Sequence, residues 1–233
     1  MREHGLGRKP SPPDDRDLKM KDAVRFLEAG HIKPNQWVDY AVLDQGQTPH
    51  CVGFGSSGLL ASTPVPVSGI TNKTADALYY ACKKKDGEPG AEDGSTVRTA
   101  AKVLKDQKRI GAYFFADSVD EAAAYVSVHG PVVLGIDWYN SMFTPDPNGI
   151  VKPTGGIAGG HCVLWYGVDA NYATIRNSWG PTWGTRGDCR ILLTDLSNIF
   201  KDNGEALAAT ETAVAPKKGS CLTRLFHKVV NGS

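Results

Sequence analysis

The sequence lacks a charge excess of either sign and any long apolar run. Its 233 residues carry 26 basic and 25 acidic side chains, which gives a formal net charge of +1. A net charge so close to zero provides no excess of positive charge that would attract nucleic acid or an anionic membrane, so no nucleic-acid partner is predicted. No apolar run approaches the roughly 18–20 residues that a membrane span requires, so no transmembrane segment is predicted.

The sequence also lacks an ordered cysteine pattern. Its five cysteines stand at positions 51, 82, 162, 189 and 221. Their number is odd and no two have the spacing of metal ligands, so neither a disulfide framework nor a metal site is predicted. The first residues are charged and proline-rich rather than apolar, which argues against a secretory signal. Reduced thiols without a signal peptide favour a cytoplasmic or virion-associated location.

Composition divides the chain into an arm, a domain and a tail. Residues 1–17 hold three prolines among charges and predict a disordered arm. Residues 18–204 form the predicted domain, with helical signals first and short β-rich runs after residue 131, which indicates an α+β fold with two lobes. Residues 205–233 predict a linker and a short amphipathic tail. This tail either stays frayed or docks on the domain, a partner protein or an anionic surface.

Three segments contain the residue types of nucleophilic catalysis in a distinctive order. They are DQGQTPHCVGF from position 44, GGHCVL from position 159 and RNSWGPTWG from position 176. Gln45 precedes Cys51 by six positions, and His161 precedes Asn177 by sixteen. Together these segments resemble the papain-like cysteine peptidases, and most closely the short prokaryotic or phage-type members. The resemblance covers roughly residues 36–200.

The resemblance implies an antiparallel β-rich lobe (about 131–200, with a strand near residue 38) facing a helical lobe (about 45–130) across a cleft. It places Cys51 on one wall, with His161 and Asn177 on the other. It also implies substrate-binding roles for Gly94, Gly160 and Trp179. Because Gly159 and Gly160 carry no side chains, we expect an open pocket for the second residue upstream of the cut, which accepts bulky apolar residues. No metal or organic cofactor is implied.

Elementary chemistry explains why the four central residues are needed. A thiol with a pKa of about 8.5 is mostly protonated at neutral pH, whereas the thiolate is the nucleophile. Cys51 starts a predicted helix, whose positive dipole end favours the thiolate. His161 as an imidazolium favours it further and protonates the leaving amine. Asn177 can accept the other ring N–H of this histidine, and Gln45 can donate to the oxyanion.

The sequence therefore predicts a cysteine endopeptidase whose partner is a protein or peptide substrate. Two alternatives stay open: a lysin that cuts peptidoglycan by the same chemistry, and a peptidase fold kept as a binding or structural module of a virion or assembly. The arm is shorter than the inhibitory propeptide usual in the family. His50 and Cys162 are not expected to take part in catalysis, and the tryptophans at positions 37, 138 and 165 are expected in the core.

Overall fold

A computed structural model describes residues 4–23 and 32–211 of the chain. Its helices within these ranges are α1 (Met20–Ala23), α2 (Cys51–Ala61), α3 (Asn72–Lys85), α4 (Val97–Asp106), α5 (Val119–Val128) and α6 (Leu193–Asn203), with a short 3-10 helix at Asn140–Phe143. Its strands are β1 (Arg8–Lys9), β2 (Asn35–Gln36), β3 (Ser95–Thr96), β4 (Ile110–Phe115), β5 (Val132–Tyr139), β6 (Ile157–Val168), β7 (Tyr172–Arg176), β8 (Asp188–Leu192) and β9 (Glu205–Glu211).

The main sheet of the described residues has seven strands, all paired in antiparallel fashion. Its order is β4-β9-β5-β6-β7-β8, and β2 pairs with β6 outside that path. One face packs against α5 and α6 around buried tryptophans, whereas α2 and α4 cover a second core that includes Val133 and Leu207. Helices α2 to α4 thus lie on one side of the sheet, which is the predicted α+β arrangement with two lobes.

Helix α2 lies between α3 and β6 and is buried over almost its whole length. Its glycines make this possible. A Cβ at Gly53 would lie 2.5 Å from the Ala75 carbonyl oxygen in α3, and a Cβ at Gly55 would lie 2.9 Å from the Cys162 sulfur in β6. Glycine costs about 1 kcal/mol of helix propensity relative to alanine, but here it allows the close packing that buries the helix. This helix presents Cys51 at its first turn.

Side-chain caps mark three of the helix starts. Thr71 and Thr74 form a capping box at α3, and the Ser118 side chain accepts from the backbone N–H of Glu121 at α5. The Thr96 side chain caps α4 in the same way, by accepting from the backbone N–H of Thr99.

Both predicted domain boundaries are wrong for the described residues. Residues 4–17 are not a disordered arm: β1 pairs with β3, and the stretch after it packs on α4 through the Arg98–Asp17 ion pair. Residues 205–211 are not a linker, because β9 pairs with both β4 and β5 inside the sheet. Its run of alanines has low strand propensity, and the two neighbouring strands override that preference. The amphipathic tail predicted beyond residue 211 lies outside the described residues.

Candidate active site

Cys51 is the first residue of α2 and is fully buried. Burial raises the pKa of its thiol to about 12, because a thiolate loses its hydration there. Nearby backbone N–H groups of Cys162, Gly7 and Val52 act in the opposite direction and lower the pKa of this thiol. The positive end of the helix also favours the anion. The sulfur therefore lies among donors that suit a thiolate, but without water.

His161 lies on β6, and Asn177 directly follows the neighbouring strand β7 in the sheet lobe. The Nε2 atom of His161 is 2.8 Å from the Asn177 Oδ1 atom, and this oxygen also accepts from the backbone N–H of Ser178 at 2.8 Å. Because an amide oxygen can only accept, the bond requires a proton on Nε2. Nδ1 is buried and makes no hydrogen bond within the described residues. The asparagine thus fixes the ring orientation and leaves the second nitrogen available.

Two tryptophans enclose the imidazole of His161. Trp179 stacks on the ring at 4.7 Å between centroids, and Trp138 meets it edge-on at 4.9 Å. Burial of this ring lowers the pKa of His161 to about 4, against a smaller raising effect of the Asn177 hydrogen bond. Trp138 is buried as predicted, but it also forms a wall of the site, a role that its sequence position did not indicate.

Gln45 is buried beside the start of α2. Its Oε1 atom accepts from the Ser178 hydroxyl at 2.6 Å, which orients the amide. Its Nε2 atom donates to the Thr48 carbonyl at 2.7 Å and to the Gly5 carbonyl at 3.3 Å. Trp179 Nε1 donates to the same Gly5 oxygen at 3.3 Å. The Gly5 carbonyl is therefore bound by the side-chain amide of Gln45, the group that the sequence predicts as a donor to the oxyanion.

That carbonyl belongs to residues 4–9, here called the cleft segment, which lies between the two lobes. On the helical side, Gly5 N–H donates to the Gly46 carbonyl at 3.0 Å and the Gly7 carbonyl accepts from Ser95 N–H at 3.0 Å. On the sheet side, Gly7 N–H donates to the Gly160 carbonyl at 3.1 Å. The segment fills the cleft directly over Cys51, in contact with both walls.

The segment fits because it is nearly free of side chains at the narrowest points. A Cβ at Gly7 would lie 2.1 Å from the Pro49 carbonyl oxygen, and a Cβ at Gly5 would lie 2.0 Å from that of Thr48. Gly94 has a positive φ of 89°, and a Cβ there would lie 1.7 Å from the Gly7 carbonyl oxygen. Only glycine at these positions permits the observed distance between backbones.

His50 precedes Cys51 and is buried outside the cleft. Its Nδ1 atom is 2.7 Å from an Asp76 oxygen and its Nε2 atom is 2.7 Å from a Glu92 oxygen. Its ring stacks on Tyr79 at 3.9 Å. The side chain thus links the start of α2 to α3 and to the loop before β3, which is a structural contact.

The structure therefore brings the predicted Gln45, Trp179 and Gly160 around one segment, with Cys51 beneath it and His161 beside Trp179. Gly94 lies on the opposite wall, against Gly7. Sequence reasoning missed the cleft segment because GLGR carries no periodic apolar pattern. Cys162 points into the core against Gly55, as predicted. In the described ranges, no group of three His, Cys, Asp or Glu side chains could hold a metal ion, and no helix is long and apolar enough to cross a membrane.

Comparison with known proteins gives a consistent result. The family description "papain family cysteine protease" matches residues 41–203. Cathepsin L1 of Drosophila melanogaster is 23% identical over 211 residues, covering 72% of this chain and 57% of that protein. Cathepsin O of Mus musculus is 28% identical over 185 residues, covering 72% of this chain and 53% of that protein.

Solved structures show the same fold. Xylellain, a cysteine protease from Xylella fastidiosa, superimposes with a TM-score of 0.71 at 20% identity and covers 91% of this chain and 98% of that chain. A procathepsin B from Trypanosoma congolense gives a TM-score of 0.62 at 14% identity, covering 88% of this chain and 86% of that chain. The chain spans a little more than half the length of the two cathepsins compared above.

Proposed function

Because the chain belongs to the papain family of cysteine proteases, we propose that it is a cysteine endopeptidase with Cys51 as nucleophile and His161 as acid and base. Asn177 orients the imidazole, and Gln45 donates to the oxyanion. The substrate is an extended peptide that lies in the cleft now filled by residues 4–9.

The reaction runs through an acyl-enzyme. The Cys51 thiolate attacks the carbonyl carbon of the scissile amide, and the C–S bond forms as the carbonyl oxygen becomes an oxyanion that accepts from Gln45. The His161 imidazolium gives its proton to the departing amine as the C–N bond breaks. Water then attacks the thioester, its proton passes to the neutral imidazole, and the thiolate leaves with the C–S bond pair.

The single observation that carries this proposal is the peptide backbone bound over Cys51. Its Gly5 carbonyl accepts from Gln45, and its Gly7 N–H donates to the backbone carbonyl of Gly160, the residue before His161. A cleft whose two walls bind an extended backbone through hydrogen bonds suits a peptide substrate, since each of these contacts is independent of side chains.

The cleft segment itself is a poor substrate in this position. The backbone N–H of Gly7 lies near the Cys51 sulfur and lowers the pKa of its thiol, and the carbonyl that Gln45 binds is that of Gly5, which also accepts from Trp179 Nε1. With water excluded, burial favours the neutral thiol and the neutral imidazole over the ion pair. Catalysis in this proposal requires the segment to leave the cleft so that a substrate and water can enter.

Turnover of a fluorogenic peptide library tests the proposal, with wild type, Cys51→Ala and Cys189→Ala. The last is a matched control, because Cys189 is a buried thiol of β8 in the sheet core. We expect hydrolysis by wild type and by the control, and none by Cys51→Ala. Hydrolysis of muropeptides with none of peptides would favour the lysin alternative. Peptide binding without hydrolysis in any variant would favour a binding module.

A further inference from the structure

His50, at the start of α2, places both of its ring nitrogens against carboxylates. Its side chain is buried, with the Nδ1 atom 2.7 Å from an oxygen of Asp76 on α3 and the Nε2 atom 2.7 Å from an oxygen of Glu92. Because an ionised carboxylate can only accept, the two bonds together require a proton on each ring nitrogen. Loss of either carboxylate would leave a buried N–H without its partner, so both bonds fix the place of this ring.

Glu92 belongs to residues 86–94, the connection between α3 and β3, here called the wall loop. The wall loop ends at Gly94, where a Cβ would lie 1.7 Å from the carbonyl oxygen of Gly7. The next residue, Ser95, donates its backbone N–H to that same oxygen at 3.0 Å. The wall loop therefore forms part of the helical wall of the cleft, at the point where the wall contacts a peptide backbone.

A second contact between His50 and the wall loop runs through Tyr79. The imidazole stacks on the ring of Tyr79 with 3.9 Å between the centroids. The Tyr79 hydroxyl donates to the Ala91 carbonyl at 2.9 Å and accepts from the Gly94 N–H at 3.2 Å. His50 thus holds the wall loop at two places, at Glu92 directly and at Gly94 through the tyrosine.

The same residue fixes the start of the helix that carries Cys51. His50 immediately precedes α2, and its carbonyl accepts from the Phe54 N–H at 3.2 Å. Its side chain makes no capping bond to the helix, and its ring nitrogens bond instead to α3 and to the wall loop. Because Cys51 is the next residue, a displacement of the imidazole displaces the backbone that carries the nucleophile.

Another cluster of bonds fastens the wall loop to α3 without reaching α2. The buried ammonium group of Lys83, on α3, donates to an oxygen of Asp93 at 2.7 Å and to the Gly94 carbonyl at 3.0 Å. The four described cysteines are free thiols, so no disulfide among them joins the helix to the loop. The contacts of His50 therefore connect Cys51 with the helical wall of the cleft.

We propose that His50 is a positioning residue that couples the Cys51 nucleophile to the wall loop through the carboxylates of Asp76 and Glu92. The inference rests on the proposed peptidase function and extends it, because catalysis then requires a fixed spacing between the nucleophile and the wall that holds the peptide backbone. His50 lies outside the cleft and is not itself a catalytic residue.

Kinetics of substitutions at Glu92 test the coupling, because this side chain is half exposed and its truncation leaves no cavity in the core. Glu92→Ala removes the acceptor of His50 Nε2, whereas Glu92→Gln keeps an acceptor in its amide oxygen. Both are made in the full-length Gly7→Ala chain, whose added methyl group would overlap the Pro49 carbonyl and so favours an open cleft. With a fluorogenic peptide, Glu92→Ala should lower kcat, raise KM and lower kcat/KM about tenfold or more, because the reacting groups are misplaced.

The matched variants decide the outcome. Glu92→Gln should keep kcat and KM within about threefold of the parent chain. Asp106→Asn removes one carboxylate from an exposed pair with Lys85 in the same lobe, and should change neither constant. A change of KM alone or of kcat alone would overturn the coupling, since a residue that holds both Cys51 and the wall affects both constants. Equal losses in Glu92→Gln and Glu92→Ala would also overturn it.

Hydrogen exchange separates the coupling from the peptidase function. In the full-length Glu92→Ala chain, the amides of Gly94 in the wall loop and of Phe54 in α2 should both exchange at least about tenfold faster than in wild type, and Glu92→Gln should restore both. The amide of Leu134, in β5, should not change; an equal increase there would show a general loss of stability and refute the coupling. Faster exchange of Gly94 and Phe54 without hydrolysis of any peptide would support the coupling and refute the peptidase. Faster exchange of Gly94 alone, or of neither, would refute the coupling even if peptides are cut.

Discussion

A single methyl group on the cleft segment should open the cleft. In Gly7→Ala the added Cβ would lie 2.1 Å from the backbone oxygen of Pro49 and 2.7 Å from its carbonyl carbon. These are backbone atoms immediately before α2 and cannot rotate away as a side chain could. The substitution changes neither wall of the cleft, because Gly7 belongs to the segment and not to the helical or sheet lobe.

The expected size of the effect follows from that overlap. Forcing an extra methyl group into a filled space costs about 1–3 kcal/mol. If this cost falls on the filled state alone, the population of the open state rises about 5- to 160-fold, at about 1.4 kcal/mol per factor of ten. Loss of the Gly7 hydrogen bonds to Gly160 and Ser95 acts in the same direction.

The rate of alkylation of Cys51 by iodoacetamide measures opening without reference to any substrate. Cys51 is fully buried in the filled cleft, so wild type should react slowly and Gly7→Ala faster by the same factor. Gly130→Ala is the control, since a Cβ there would meet only ordinary contacts of 3.4 Å and 4.0 Å. Equal rates in wild type and Gly7→Ala, read from the modified peptide, would refute the idea that the segment closes the cleft.

Three further outcomes follow from the same geometry. Asn177→Ala in the Gly7→Ala background should lower kcat/KM about 5- to 100-fold, because the His161 ring loses its buried acceptor; an unchanged rate would contradict an orienting role. Deletion of residues 205–233 should abolish cooperative unfolding in circular dichroism, whereas deletion of residues 212–233 should keep Cys51 labelling within a few-fold of wild type. The equilibrium constant for opening of the wild-type cleft can be measured as the hydrogen-exchange rate of the Gly7 amide divided by its intrinsic rate at each pH. This constant should be smallest between about pH 6.5 and 9 and should increase on both sides; a monotonic pH dependence of the constant would refute the coupling.

The candidate catalytic set could be predicted because its residues carry fixed types at fixed spacings. Gln45, Cys51, His161 and Asn177 follow one another in the order of a known family. The six positions from Gln45 to Cys51 and the sixteen from His161 to Asn177 also match that family. Helix starts were predictable for a similar reason, since the caps at Thr71 and Ser118 act over three residues. Each of these signals is a short motif that can be recognised without knowing which distant residues it contacts.

The filling of the cleft could not be predicted in this way. The Arg8–Glu205 bond joins residues 197 positions apart, and each is unremarkable within its own surroundings. The segment is held by backbone hydrogen bonds, which leave no pattern of residue types. The composition of β9 predicts a linker, because its residues have low strand propensity and its pairing with β4 and β5 depends on tertiary contacts.

The filled cleft and the protonation states of its two central residues depend on each other. Burial lowers the pKa of His161 from 6.5 to about 4 and raises that of Cys51 from 9.0 to about 12. Hydration in an open cleft returns both toward their ordinary values, so the open state binds a proton on His161 below about pH 6.5 and loses one from Cys51 above about pH 9. Acid therefore favours opening as the pH falls from 6.5 toward 4, and alkali favours it as the pH rises beyond 9. In the window between, opening changes no net number of bound protons, because a proton that passes from Cys51 to His161 in the open cleft stays on the pair, so the opening equilibrium does not depend on pH there. The Asn177 hydrogen bond favours the imidazolium and the nearby His4 opposes it, so Asn177→Ala should shift the acid limb to lower pH.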